Sequence, residues 1–121
     1  MTRLGIGFSG DLRVQDMISC VKLADKRGLE SAWMADHYCF REAIASIAAF
    51  AVVTKKIKVA TGTINTYTRH PAVIAMALAS VDELSNGRAV LGMGAGLRPQ
   101  KQLGIEVRNP LVALKECIEV V

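Results

Sequence analysis

"VDELSNGRAVLGMGAG", residues 81–96, carries the chain from the end of one helix into the next strand. Val81 and Leu84 or their neighbours complete an apolar stripe begun at Ile74 and Leu78, spaced in threes and fours. Asn86-Gly87 then stops the helix, since both residues tolerate the left-handed backbone that closes one. "RAVLGMGAG" continues as a short apolar strand. Its alternating Gly92, Gly94 and Gly96 bring bare backbone N–H groups toward a ligand, or relieve crowding where strands meet. A dinucleotide fingerprint is excluded, because it requires G-x-G-x-x-G at a first strand-to-helix turn with an acid about 20 residues on, and that pattern is absent.

Outward from this stretch the same unit recurs, four times in all. The strands are "LGIGFS" (4–9), "SAWMA" (31–35), "IKVATGTIN" (57–65) and "RAVLGMGAG" (88–96). The first helix keeps Val14, Met17, Ile18, Val21 and Ala24 on one face and closes with Lys26, Arg27 and Gly28. The second runs through "REAIASIAAFAVVTKK" (41–56), and the third starts at Pro71, where a missing N–H costs nothing. Asn109-Pro110 supplies an N-cap and first-turn pair for a fourth, through Leu111, Leu114, Cys117, Ile118 and Val121, with no stop signal after it. Alternating strands and helices demand a parallel sheet, so the class is α/β. Two architectures use such units, a doubly wound sheet of about five strands and a (β/α)8 barrel of ~250 residues; four units are one short of the first and half of the second.

The composition sets limits on partners. A chain of 121 residues with 51% hydrophobic and 21% charged residues is sized for a single domain, 1–121, with one core. "AIASIAAFAVV" has about half the ~20 residues of a membrane span, and the Met1 end lacks a signal-peptide plan, so a cytoplasmic protein without a membrane partner is expected. Cys20, Cys39 and Cys117 stand far apart and read as ordinary thiols of a reducing compartment. The net charge of +4 is spread out except for "KKIK" (55–58), which reads as a solvated helix end; no nucleic-acid partner is expected.

The chemistry gathers where strands end. Asp36-His37 follows the second strand, and an imidazole beside a carboxylate offers a donor or base near neutral pH; the plainer alternative is a helix cap and a surface histidine. One His and one Cys near each other fall short of a metal set, so no metal is expected. Gly62 inside a strand pattern suggests a bulge or a close approach by a ligand.

"DHY" after strand two, "TGTINTYTRHP" around strand three and "VDELSNGRAVLGMGAG" through strand four together resemble the bacterial luciferase-like superfamily of flavin and deazaflavin enzymes. Within it the chain is most similar to the methylenetetrahydromethanopterin reductases. The resemblance covers essentially the whole chain and implies the N-terminal half, four β/α units, of a (β/α)8 TIM barrel. It also implies that Asp36 and His37 lie at the cofactor ring, with His37 a base in some members, and that Gly62-Thr63 forms a bulge with a non-proline cis peptide. Asn65 is implied at the ring edge and Ala95-Gly96 as backbone beside ring or substrate. The cofactor so implied is the deazaflavin coenzyme F420, with FMN as the alternative. Two acids of the similar reductases are replaced, by Gly7 and Leu97, and the phosphate-binding loops that follow strands seven and eight of such barrels have no counterpart here.

Three readings result. The first is an oxidoreductase moving hydride between coenzyme F420 and a pterin-like or other small substrate. The second is an FMN-dependent luciferase-like monooxygenase, and the third a non-catalytic truncated half-barrel that self-associates. A homo-oligomer is expected, because open edges and inward-facing side chains, among them Ile6, Val59 and Leu91 or their neighbours, would lack partners.

Overall fold

The computed structural model describes residues 3–96 and 103–121. In chain order its elements are β1 (Gly5–Phe8), α1 (Val14–Lys26), β2 (Ser31–Met34), α2 (Ala43–Val53), β3 (Lys58–Thr61), β4 (Ile64–Asn65), α3 (Pro71–Ser85), β5 (Ala89–Val90), β6 (Met93–Gly94) and α4 (Pro110–Val120). Strands β1, β2, β3 and β5 lie side by side in that order, all parallel, and β4 pairs with β6 in a short parallel continuation. The expected third and fourth strands are therefore each broken once, at Gly62-Thr63 and at Leu91-Gly92.

Strand order separates the two architectures. A doubly wound sheet reverses its order at a switch point and so receives helices on both faces. Here the order never reverses, and successive right-handed crossovers deliver α1, α2 and α3 to the same face. The result is four consecutive units of a (β/α)8 barrel, curved around a face that none of the described helices covers.

Register shows which side chains lie on which face. Ile6, Ala32, Val59 and Ala89 align across the sheet and pack into the core with Met17, Val21, Ile47, Phe50, Ile74 and Val81. Gly7, Trp33, Ala60 and Val90 form the alternate row and face the other way. Ile6, Val59 and Leu91 thus pack toward the helices, and their neighbours, not they, occupy the open face. The Trp33 indole lies across that face, where Cβ atoms added at Gly5, Gly62 and Gly92 would stand 3.6, 3.1 and 3.6 Å from it. Its Nε1 donates to Ser31 Oγ at 2.8 Å.

The helices start and stop for local reasons. Gly28, at φ 76°, follows the Arg27 cap of α1 as its sequence suggests. α2 ends at Val53, three residues before the expected Lys56, because Thr54 is extended and its hydroxyl donates to Phe50 O at 2.7 Å. The amides of Lys55, Lys56 and Ile57 instead donate to the Asp25 carboxylate at 3.0, 3.0 and 2.7 Å, so the "KKIK" run is a turn entering β3 and not a helix end. Burial works to raise the Asp25 pKa, but these amides and the nearby Arg88 outweigh it and hold the carboxyl below its usual range.

α3 begins at Pro71 and ends on Asn86 in the left-handed region, φ 57°. In its stripe Leu84 is 48% exposed and Ser85 is buried in its place. Asn109 precedes Pro110 at φ 45° without a side-chain cap bond, so it does not act as the N-cap acceptor its identity suggests. On α4 only Cys117 is buried, while Leu111 stays 81% exposed. Among the described residues no helix is long and apolar enough to cross a membrane.

Candidate functional site

The C-terminal ends of the strands carry the site. Past β2 the chain stays with the sheet for one more bond, Ala35 N to Phe8 O at 2.9 Å, and then turns away. Asp36 points back beneath the loops and is mostly buried. His37 is exposed, its ring 6.0 Å from that of Phe40, and among the described residues nothing hydrogen-bonds its imidazole. The turn closes through Phe40 N to His37 O at 3.2 Å, with Cys39 in the left-handed region at φ 67°. Arg41 anchors this loop to the one after β1 by donating to Gly10 O at 3.4 Å and Asp11 O at 3.0 Å.

Between β3 and β4 the Gly62-Thr63 peptide is cis, and both residues are exposed. Gly62 N donates to Met34 O at 2.8 Å before the break, and Ile64 N donates to Gly92 O at 2.7 Å after it. Gly94 lies close against this bulge, since a Cβ on it would be 2.7 Å from Thr63 Oγ1. Asn65 follows, buried, with Oδ1 accepting from Tyr67 N at 2.8 Å and its own amide donating to Asp36 Oδ2 at 3.2 Å. Its Nδ2 has no partner among the described residues.

A pocket of about 280 Å³ opens here, lined by Asp36, His37, Phe40, Asn65, Thr68 and Arg69 among others. It joins three of the residues singled out from sequence. Gly62, Thr63, Ala95 and Gly96 do not line it; the last two directly follow β6, with Gly96 at φ 46°. At Gly7, where the resemblance implies an acid, a Cβ would meet nothing within 4 Å, so the position is open. Leu97 lies outside the described residues. No group of three metal-ligating side chains occurs among the described residues.

Arg69 and Glu42 escaped the sequence reading. Arg69 pairs with both oxygens of Asp36, Nη1 on Oδ2 and Nη2 on Oδ1, and Nη2 also reaches Glu42 Oε1 at 2.6 Å. The hydrogen bond it donates to Asp36 and the nearby carboxylates raise the guanidinium pKa against the opposing effect of burial. Glu42 is the N-cap of α2, Oε2 accepting from Ala45 N at 2.6 Å. The helix cap that the plainer alternative gave to Asp36 is supplied by Glu42. With both oxygens engaged, Asp36 is fixed in place, and the His37 side chain of the pair stays exposed at the pocket.

The sequence matches the luciferase-like monooxygenase family over residues 2–121. It is 35% identical over 120 residues to the 5,10-methylenetetrahydromethanopterin reductase of Archaeoglobus fulgidus, covering 98% of this chain and 36% of that protein. It is 33% identical over 86 residues to the oxygenase component of the flavin-dependent trigonelline monooxygenase of Acinetobacter baylyi, covering 67% of this chain and 24% of that one. The fold superposes on the coenzyme F420-dependent tetrahydromethanopterin reductase of Methanopyrus kandleri with a TM-score of 0.89 at 31% identity, over 97% of this chain and 38% of that structure. The chain spans about a third of the length of the curated relatives it matches. Four parallel units in barrel order, a site at their C-terminal ends and a match along nearly every residue lead to one assignment: the chain belongs to the luciferase-like monooxygenase family.

Proposed function

We propose that this chain forms the ring-binding part of an oxidoreductase that moves hydride between the deazaflavin coenzyme F420 and a pterin-like or other small substrate. The observation that carries the reading is the convergence in one strand-end pocket of Asn65, whose Nδ2 has no partner among the described residues, and the likewise unpartnered His37 imidazole, with the exposed Gly62-Thr63 backbone just before Asn65 in the chain. These groups suit a flat heterocycle with carbonyls along its edge. Asn65 would donate to an edge oxygen, the exposed backbone at Gly62-Thr63 would lie beside the ring, and His37 would take or give the proton that accompanies hydride transfer. Thr66 Oγ1, buried without a partner among the described residues and next in sequence to Asn65, is a further donor at this end of the sheet.

The bound coenzyme would supply the hydride chemistry itself; the chain supplies orientation, which is worth most when the reacting atoms are held at contact distance. Identity to the A. fulgidus reductase and the fold likeness to a coenzyme F420-dependent enzyme support the deazaflavin. The flavin-dependent A. baylyi relative supports the second reading, an FMN monooxygenase. Three free thiols fit a reducing, cytoplasmic setting for either.

Fluorescence titration of the chain with coenzyme F420 and with FMN tests the reading. Tighter binding of coenzyme F420, lost together with the His37 and Asn65 side chains in His37→Ala and Asn65→Ala, is expected. Tighter binding of FMN, or binding of neither, would overturn it.

A further inference from the structure

We propose that Arg69 is the positioning residue of this site: from the pocket wall it holds the Asn65 amide and the Asp36 loop in the geometry a ring would meet. The inference rests on the ring-site reading above for its functional consequence and on the hydrogen-bond network for its structural one.

Arg69 lies between β4 and α3, 33 residues from Asp36 and 27 from Glu42. Its side chain is 19% exposed and that of Asp36 10%. From this position one guanidinium connects three segments. It forks onto Asp36, whose Oδ2 also accepts the Asn65 amide at 3.2 Å. It reaches Glu42 at 2.6 Å, whose other oxygen caps the first turn of α2. A continuous path therefore runs from the Asn65 backbone through Asp36, Arg69 and Glu42 to the start of α2.

The charges make this arrangement depend on Arg69. Two carboxylates face a single cation that bonds both, and a planar fork satisfies such a pair in a way that a point charge does not. Removing the cation leaves the mostly buried Asp36 beside Glu42 with no compensating charge bonded to either, and the cost is relieved by moving the loops apart. Asp36 is the anchor of the Asn65 amide, so that movement displaces the residue expected at the ring edge. A displacement of about 1 Å at such a position can cost up to about 100-fold in rate.

The test compares Arg69→Gln, Arg69→Lys and Glu42→Gln with the unaltered chain by thermal melting, titration with coenzyme F420 and with FMN, and amide hydrogen exchange. Arg69→Gln is expected to weaken ring binding by about tenfold or more and to speed exchange of the Asn65 amide. The Ile64 amide, bonded to Gly92 O and to no carboxylate, should be unchanged. Arg69→Lys keeps the charge and loses the fork, so melting should largely recover while affinity and Asn65 exchange do not. Glu42→Gln leaves the fork on Asp36 and should cost less affinity than Arg69→Gln, the fork being the stronger contact. Full recovery of affinity in Arg69→Lys would reduce Arg69 to a stabilising charge and overturn the proposal, as would unchanged Asn65 exchange in Arg69→Gln. Binding of neither coenzyme by the unaltered chain would remove the ring-site reading, and Asn65 exchange would still decide the role of Arg69.

Discussion

Arg88 holds together the end of the molecule opposite the site. Its Nε donates to Ser85 O at 2.6 Å, Nη1 to Ile57 O at 2.6 Å and Thr54 Oγ1 at 3.0 Å, and Nη2 to Ala51 O at 3.0 Å and Thr54 O at 3.1 Å. One side chain thus satisfies carbonyls at the C-terminal ends of α2 and α3, groups a helix leaves unpaired. This is the N-terminal face of the strands, where barrel residues serve stability. Arg88→Ala should lower the unfolding free energy by about 3 kcal/mol or more, because several charge-assisted bonds vanish and partly buried carbonyls are stranded. Urea denaturation measures it, and a loss below about 1 kcal/mol would mean that water replaces the guanidinium freely. Arg88 stands in a stretch whose helix stop and strand start were legible locally. Arg69 had no such signal, because its partners lie 27 and 33 residues away and nothing in "TRHP" announces them.

At the scale of elements, the breaks at Gly62-Thr63 and Leu91-Gly92 lie beside each other and let two adjacent strands bend together into the short β4–β6 pair. Gly92 makes this possible. Its N–H donates to Thr61 Oγ1 and its carbonyl accepts from the same hydroxyl, each at 3.0 Å, and a Cβ there would sit 2.2 Å from Thr61 O. Backbone cannot yield to such a contact without parting the strands. At Gly94 the nearest atom is a side-chain hydroxyl, Thr63 Oγ1 at 2.7 Å, which can rotate away. Gly92→Ala should therefore destabilise by about 3 kcal/mol and Gly94→Ala by about 1 kcal/mol or less. Equal effects in chemical denaturation would show that the two glycines are not distinguished by what they face. The alternating glycines marked the segment as special. They gave no sign of which face each strand turns to the helices, since strands this rich in glycine and alanine leave few side chains to reveal it. The parity of Ile6, Val59 and Leu91 accordingly came only from register.

For the whole molecule, four β/α units could be counted from periodicity, but the same units build either architecture, and the order of non-adjacent strands has no local code. That order also determines how the chain behaves in isolation. The described helices pack on one face, so the alternate row of Gly7, Trp33, Ala60 and Val90 turns away from them; Ala60 is buried there, while Trp33 is 38% exposed. Among the described residues β1 has a neighbour on one side only, as does β5, which leaves a row of backbone donors and acceptors along each edge. Leu111 and Ile118 on α4 add exposed apolar surface, at 81% and 57%. This chain by itself should therefore associate, with the edge along β1 of one copy meeting the edge along β5 of another. Closing both seams would return the parallel barrel geometry that the strand order already follows. Sedimentation over a concentration series provides the test, with the single tryptophan as an internal reporter. Rising mass should come with a blue shift of Trp33 emission as the open face is covered. A cooperatively melting monomer at every concentration, with emission unchanged, would mean that the open face is stable in water, and the self-association argument would fail.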